Sequence, residues 1–128
     1  MTPELDRLLC ARYPLIFAER DLSPRETCMC WGFPGDGWFR LLDTLCSTLK
    51  AGTERRGEPQ IVAAQVKEKF GTLRFYPRSA TPAQYQVIAA AERMSASVCE
   101  VCGETGRLNT DGYYRTRCVR HRSGESRP

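Results

Sequence analysis

Histidine and lysine are scarce in this chain. One histidine, His121, stands among 128 residues, and only Lys50, Lys67 and Lys69 of the nineteen basic residues are lysine. A single imidazole makes any Ser–His or Cys–His hydrolase chemistry depend on that one side chain. No apolar run approaches the roughly 18 residues that a membrane-crossing helix needs, which excludes that class of span. No GxxxxGK[ST] or GxGxxG loop is present, and Gly35-Asp36-Gly37 lacks both the length and the lysine to cradle a nucleotide phosphate. Internal repeats and low-complexity linkers are missing too, so solenoids and fibres are ruled out. The amino end, MTPELDRLLCARYPLIF, mixes acids among its apolar residues and carries no basic leader or cleavage site. The expectation is a chain without a secretion signal that works in the cytoplasm.

Cysteine, by contrast, is plentiful. Seven occur, an odd number, and in a cytoplasmic chain reduced thiols or a metal explain them better than a disulfide framework. Cys99-x2-Cys102, with Gly103 next, is separated by the fifteen residues 103–117 from Cys118-x2-His121. Zinc takes four sulfur or nitrogen ligands at tetrahedral corners, and a CxxC turn brings two thiolates to one side. Gly103 gives that turn its backbone freedom. Between the pairs, Asn109-Thr110-Asp111-Gly112 predicts a hairpin turn flanked by Gly106–Leu108 and Gly112–Thr116. Knuckle, hairpin and second pair predict a zinc-ribbon or treble-clef-like module with one structural Zn2+ on Cys99, Cys102, Cys118 and His121. Four protein ligands leave no open position for a catalytic water. Of the other thiols, Cys28-x-Cys30 is not a zinc spacing, and Cys10 and Cys46 fall within helical patterns. All four are expected to be core thiols rather than a second, all-thiolate site.

The rest of the chain predicts an α+β domain. Thr2-Pro3-Glu4 opens a first helix that Pro14 ends near Tyr13. Ser23-Pro24-Arg25-Glu26 has capping-box spacing and predicts a short helix or turn over residues 24–30. Asp36 is placed to cap a second helix, in which Trp38, Leu41, Leu42, Leu45 and Leu49 form a buried stripe and which Gly52 closes. Two strands, 61–67 and 72–76, flank the short turn Glu68-Lys69-Phe70-Gly71. Thr81-Pro82 opens a third long helix running towards Cys99. About three helices and a small antiparallel hairpin thus make a body over residues 1–98, with a zinc-binding module over residues 99–128 packed on it.

Charge is unevenly placed. Residues 1–106 hold thirteen basic and thirteen acidic side chains, so the whole net charge of +4 lies in residues 107–128. There Arg107, Arg115, Arg117, Arg120, Arg122 and Arg127 face only Asp111 and Glu125. An arginine-rich segment suits bidentate contact with phosphate or carboxylate; its plainer reading is a solvated tail. In the hairpin, alternation sets Gln65, Lys67, Thr72, Arg74 and Tyr76 opposite Val62, Ala64, Val66, Leu73 and Phe75. The first set is either a strip that tracks phosphates and stacks a base, or the wet face of a small sheet. Trp31, Phe33, Trp38 and Phe39 cluster around the glycine-rich loop, where core packing competes with a partner anchor.

Three segments carry a family resemblance. They are Cys28-Met-Cys30-Trp31-Gly32 leading to Gly35-Asp36-Gly37-Trp38, Val66 through Tyr76 (VKEKFGTLRFY), and Ala91 through Gly103 (AERMSASVCEVCG) with Cys118 and His121. Together they resemble a largely uncharacterised family of small zinc-binding proteins of phages, prophages and bacteria, over about residues 8–121. The resemblance implies the zinc-binding role of Cys99, Cys102, Cys118 and His121 and a phage-type origin, and it implies no named activity. With the only histidine assigned to zinc, the first expectation is a non-enzymatic protein of the bacterial host's cytoplasm. It would dock on a host protein or nucleoprotein complex, as an inhibitor of a defence or replication machine such as a CRISPR complex. Lys67, Arg74, Tyr76, Arg107, Arg115, Arg117, Arg120 and Arg122 are then the candidate contact residues. A zinc-containing DNA- or RNA-binding protein is the alternative, and an enzyme using Cys28 or Cys30 the third reading.

Overall fold

A computed structural model describes residues 1–124. Among them lie four α-helices and two antiparallel strand pairs, an α+β arrangement. The helices are α1 (Pro3–Arg12), α2 (Phe39–Arg56), α3 (Pro82–Met94) and α4 (Val119–Gly124). One strand pair is β1 (Ala63–Lys69) with β2 (Thr72–Pro77), the other β3 (Arg107–Asn109) with β4 (Arg115–Arg117). No helix is long and apolar enough to cross a membrane among the described residues. Arg127 lies outside them.

Local chemistry fixes the helix ends. The Thr2 hydroxyl accepts the Leu5 N–H at 3.4 Å, and Pro3 occupies the first helical position of α1. Thr81 and Gln84 close a reciprocal capping box at the start of α3. Helix α2 departs from expectation at both ends. Asp36 does not cap it: the chain enters through a 3-10 turn over Asp36–Trp38, and the Asp36 carboxylate instead accepts the Thr2 N–H at 2.7 Å. Nor does Gly52 close it. Gly52 is buried within the helix, which runs one turn further to Gly57, where φ of 69° supplies the left-handed cap. A Cβ on Gly52 would lie 2.0 Å from the Glu58 carboxylate, so the glycine serves close approach rather than termination.

The expected stripe on α2 is buried as a whole, with Trp38 and Leu42 fully enclosed. It packs with Leu9 of α1, Ile88 and Ala91 of α3, and Leu73 and Phe75 of β2. The inward residues here are Ile61, just before β1, and Ala63 and Val66 within it, not Val62 and Ala64. A bulge between Ala63 and Gln65 inserts one residue and shifts the phase of alternation, which a strict period of two cannot show. The outer edge of β2 is covered by α3: the Leu73 N–H donates to the Ser95 hydroxyl at 2.9 Å and the Phe75 N–H to the Glu92 carboxylate at 2.8 Å.

Residues 24–30 form turns and a 3-10 helix over Met29–Trp31. Met29 is fully buried, and the Arg20 guanidinium donates to the Met29 and Cys30 carbonyls while holding Asp6 of α1 at 2.8 Å. This hydrogen-bonded clamp accounts for part of the Cys28–Gly32 motif without invoking chemistry at its thiols. Trp38 joins the core and Phe33 and Phe39 pack against it, whereas Trp31 is 73% exposed. At the β1–β2 turn, Phe70 adopts φ of 54°, a left-handed conformation that costs a bulky residue about 1–3 kcal/mol.

Candidate metal centre

Each half of the centre is built locally before the halves meet. After α3 a 3-10 turn over Ser95–Ser97 leads through Val98 to Cys99. The Cys99 N–H donates to the Glu104 carbonyl at 2.8 Å, and the Gly103 N–H returns to the Cys99 carbonyl at 2.9 Å. Gly103 takes φ of 83°, the left-handed step that closes the knuckle. The second pair sits on the first turn of α4, where the His121 and Arg122 N–H groups both donate to the Cys118 carbonyl. Residues three apart share a helix face, so the Cys118 sulfur and His121 ring point the same way. A knuckle, a hairpin and then a short helix after Cys118 follow one another in the chain, the order expected of the carboxyl-terminal module.

The four side chains converge. Cys99 Sγ lies 3.6 Å from His121 Nδ1, Cys102 Sγ 3.6 Å from Cys118 Sγ, and Cys118 Sγ 3.1 Å from His121 Nδ1. All four ligand atoms lie within 4.8 Å of one another. A tetrahedron of Zn–S bonds of about 2.3 Å has an edge of about 3.8 Å, which these separations bracket. The group can therefore hold a metal ion, and its three sulfurs and one imidazole nitrogen suit zinc. Cys99 and Cys118 are buried, His121 is half-buried and Cys102 is exposed, so the centre sits at the edge of the fold.

Electrostatics favour the thiolate at Cys118 and oppose it at Cys102. Burial works against ionisation of Cys118, but the His121 N–H and imidazole and the neighbouring thiols outweigh it and bring its pKa down to about 6. At Cys102 the Glu104 N–H favours the thiolate, yet partial desolvation and the adjacent thiols raise the pKa overall. Arg120 places its guanidinium 3.7 Å from Cys102 Sγ. Three thiolates and a neutral imidazole around a divalent ion carry one net negative charge, which that guanidinium offsets.

Backbone contacts join the centre to the body. The Gly37 N–H donates to the Glu100 carbonyl at 2.7 Å, the Gly35 N–H to the Glu100 carboxylate at 3.0 Å, and the Trp38 indole N–H to the Val98 carbonyl at 2.7 Å. A Cβ on Gly37 would sit 2.0 Å from the Cys99 carbonyl oxygen, and one on Gly35 2.4 Å from that of Glu100. The Gly-Asp-Gly-Trp segment is thus a docking surface for the knuckle. Burial holds the Glu100 carboxyl above its ordinary range, against the opposing pull of the Gly35 N–H.

The remaining cysteines do not behave alike. Only Cys46 is fully buried, and burial pushes its thiol up. Cys10 is half-buried, its pKa raised to about 11 by burial and by Asp6. Cys30 is half-buried and Cys28 exposed, so the expectation of four core thiols is corrected. A 3-10 turn, rather than a core-facing helix, carries that stretch past the surface. No second group of metal-type ligands occurs among the described residues.

The candidate contact residues fall into separate places. Lys67 pairs with Arg74 across the hairpin, and Tyr76 lies opposite Gln65 and is exposed. Arg74 is half-buried, and its Nε is enclosed without a hydrogen-bond partner. Arg107 pairs with Arg117 across β3 and β4, and Arg115 stacks over Tyr113 with Cζ 5.0 Å from the ring centroid. Arg120 is at the metal centre, and Arg122 is half-buried on α4. The arginines of residues 107–122 are therefore divided: Arg107 is exposed and Arg115 and Arg117 half-buried on the hairpin, while Arg120 is at the Cys/His group and Arg122 on α4. Sequence reasoning did not single out Phe70, Tyr113, Tyr114 and Lys69, which the two hairpin tips bring together. Aromatic residues beside turn glycines, Phe70-Gly71 and Gly112-Tyr113, were the available signal. Compared with family models, curated proteins and solved structures, the chain matches none.

Proposed function

We propose that this chain is a non-enzymatic binding protein, stapled by one structural zinc, that docks on a nucleoprotein assembly of a bacterial host. The observation that carries the reading is the convergence of His121 Nδ1 with three cysteine sulfurs. Four protein ligands satisfy zinc, leave no position for a reacting water, and use the one imidazole that a cysteine or serine nucleophile would need. Zinc here supplies folding free energy rather than Lewis-acid chemistry. Cys10 and Cys46 have raised pKa values, the opposite of an activated thiol. The resemblance to phage-type proteins points to a defence or replication machine as the assembly, and the hairpin cations, of which Lys69 and Arg107 are exposed, suit its nucleic-acid component.

Three measurements test the proposal. Purified protein should contain one zinc per chain, and Cys28 and Cys30 should label slowly with alkylating agents at neutral pH. The zinc-loaded chain should also co-sediment with host nucleoprotein. A chain with well under one zinc that keeps its fold in chelator, or a rapidly labelled thiolate at either cysteine, defeats it.

A further inference from the structure

Two loops more than 40 residues apart in sequence meet at one end of the molecule. The β1–β2 turn projects Phe70, 64% exposed, and the β3–β4 turn projects Tyr113 and Tyr114, 73% and 43% exposed. Phe70 and Tyr114 meet edge to face with centroids 6.3 Å apart. Each outer ring has its own cation: Lys69 Nζ lies 5.6 Å from the Phe70 centroid, and Arg115 Cζ 5.0 Å from that of Tyr113. Lys67 lines the same shallow pocket of about 690 Å³. The acids nearby are Glu68, whose carboxylate is held by the Gly71 N–H at 2.7 Å, and Asp111 in the neighbouring turn, whose N–H donates to Asn109.

The rings are held in place by the junction beneath them. The buried Thr116 hydroxyl donates to the Gly71 carbonyl at 2.7 Å. A Cβ on Gly71 would lie 2.6 Å from Leu108 Cδ1 and 2.9 Å from the Arg115 nitrogen, so the tips touch backbone to backbone. Phe70, next to that contact, is kept in a left-handed conformation with its ring turned to solvent.

We propose that the ridge of Phe70, Tyr113 and Tyr114, with Lys67, Lys69 and Arg115, binds single-stranded nucleic acid. Unpaired bases stack on the rings, and the interleaved cations hold the phosphates. This deepens the binding-protein reading and rests on it. Every base has a π-face, and a ring beside a cation matches the alternation of base and phosphate along a strand. A duplex hides its base faces and leaves only phosphates and groove edges to contact. A protein partner is disfavoured because lysine is depleted from protein–protein interface cores, and two lysines stand in this ridge.

The test uses the full zinc-loaded chain and fluorescence anisotropy with a labelled mixed-sequence oligonucleotide, as DNA and as RNA in separate arms. A blunt duplex of the same sequence and heparin, a polyanion without bases, are the comparisons. Single strands should bind about ten-fold tighter than duplex, and all binding should weaken with salt. Tyr113→Ala, Tyr114→Ala and Phe70→Asn should each weaken single-strand binding about ten-fold, whereas Tyr113→Phe should retain it. Asn tolerates the left-handed backbone at position 70, and equal zinc content together with an unchanged urea-unfolding midpoint shows that each variant folds. Ring variants that bind like the wild type overturn the proposal, as does equal affinity for duplex and heparin. If no oligonucleotide binds while nuclease-treated host protein is still captured, the ridge proposal fails and the binding-protein reading survives.

Discussion

Residues up to Val98 gather eighteen buried hydrophobic side chains around Trp38, Leu42 and Phe75, and that cluster includes nothing from the carboxyl-terminal segment. From residues 99–122 only Cys99, Thr116 and Cys118 are buried, two of them members of the metal-binding group. The first region is ordered by apolar burial; the second has two short strands, backbone contacts with its neighbour and a Cys/His group that could hold a metal ion. About 25 residues cannot bury enough apolar surface to fold alone, and small modules of that size depend on a metal or cross-link. The two regions should therefore fail under different insults.

Metal removal is the severest test of that contrast. Structural zinc contributes on the order of 10 kcal/mol in small sites, so a strong chelator should release residues 99–124 while leaving the body's helices. Limited proteolysis should then cut between Cys99 and His121, and far-UV circular dichroism should fall only slightly. Simultaneous loss of the whole helical signal would show one cooperative unit and break the comparison. Acid should act like chelator, because thiolates must be deprotonated to bind metal.

Next in size is the seam between the regions. Gly37→Ala drives a Cβ into the Cys99 carbonyl, and neither backbone has a soft side chain to yield. A loss of about 3 kcal/mol in urea unfolding is expected, the upper end of overpacking costs. A loss below about 0.5 kcal/mol would mean that the seam opens readily and that the regions are independent.

Arg120→Gln removes the guanidinium beside Cys102 Sγ and should lower metal affinity about ten-fold, measured by competition with a chromophoric chelator. Unchanged affinity would place all of the compensation for the centre's charge elsewhere. The smallest effect belongs to the body. Tyr13 donates to the Asp43 carboxylate at 2.6 Å, and burial with that bond raises its pKa from 10.0 to about 12. Folding holds the phenol proton more tightly, so the contribution is full below pH 10 and is lost as pH rises through about 12. Tyr13→Phe should cost about 1 kcal/mol at neutral pH and flatten the stability curve above pH 10.

What was legible in the sequence was short-range. Paired x2 spacings located the four residues of the Cys/His group because each pair is joined within one turn, and the Trp38–Leu49 period located the stripe of α2. Thr2-Pro3 and Thr81-Pro82 marked true helix starts for the same reason, since a cap acts over three residues. The errors came where two distant segments share a surface. Gly52 reads as a helix end, but its buried position reflects the Glu58 carboxylate against the helix. Asp36 reads as a cap, yet Thr2, 34 residues away, takes its carboxylate. The ridge depends on Gly71 meeting Leu108 and Arg115, a contact that no local pattern encodes.

Trp38 gives the chain an internal optical gauge. Its fully buried indole donates to the carbonyl of Val98, the residue before the first ligand, whereas Trp31, the chain's other tryptophan, is 73% exposed. Emission from Trp31 reports bulk water whatever the state of the centre. The Trp38 component should move to longer wavelength when the knuckle lets go and water reaches the indole. Metal loading can thereby be followed in real time from the protein's own fluorescence, with no label attached and the second tryptophan as its reference.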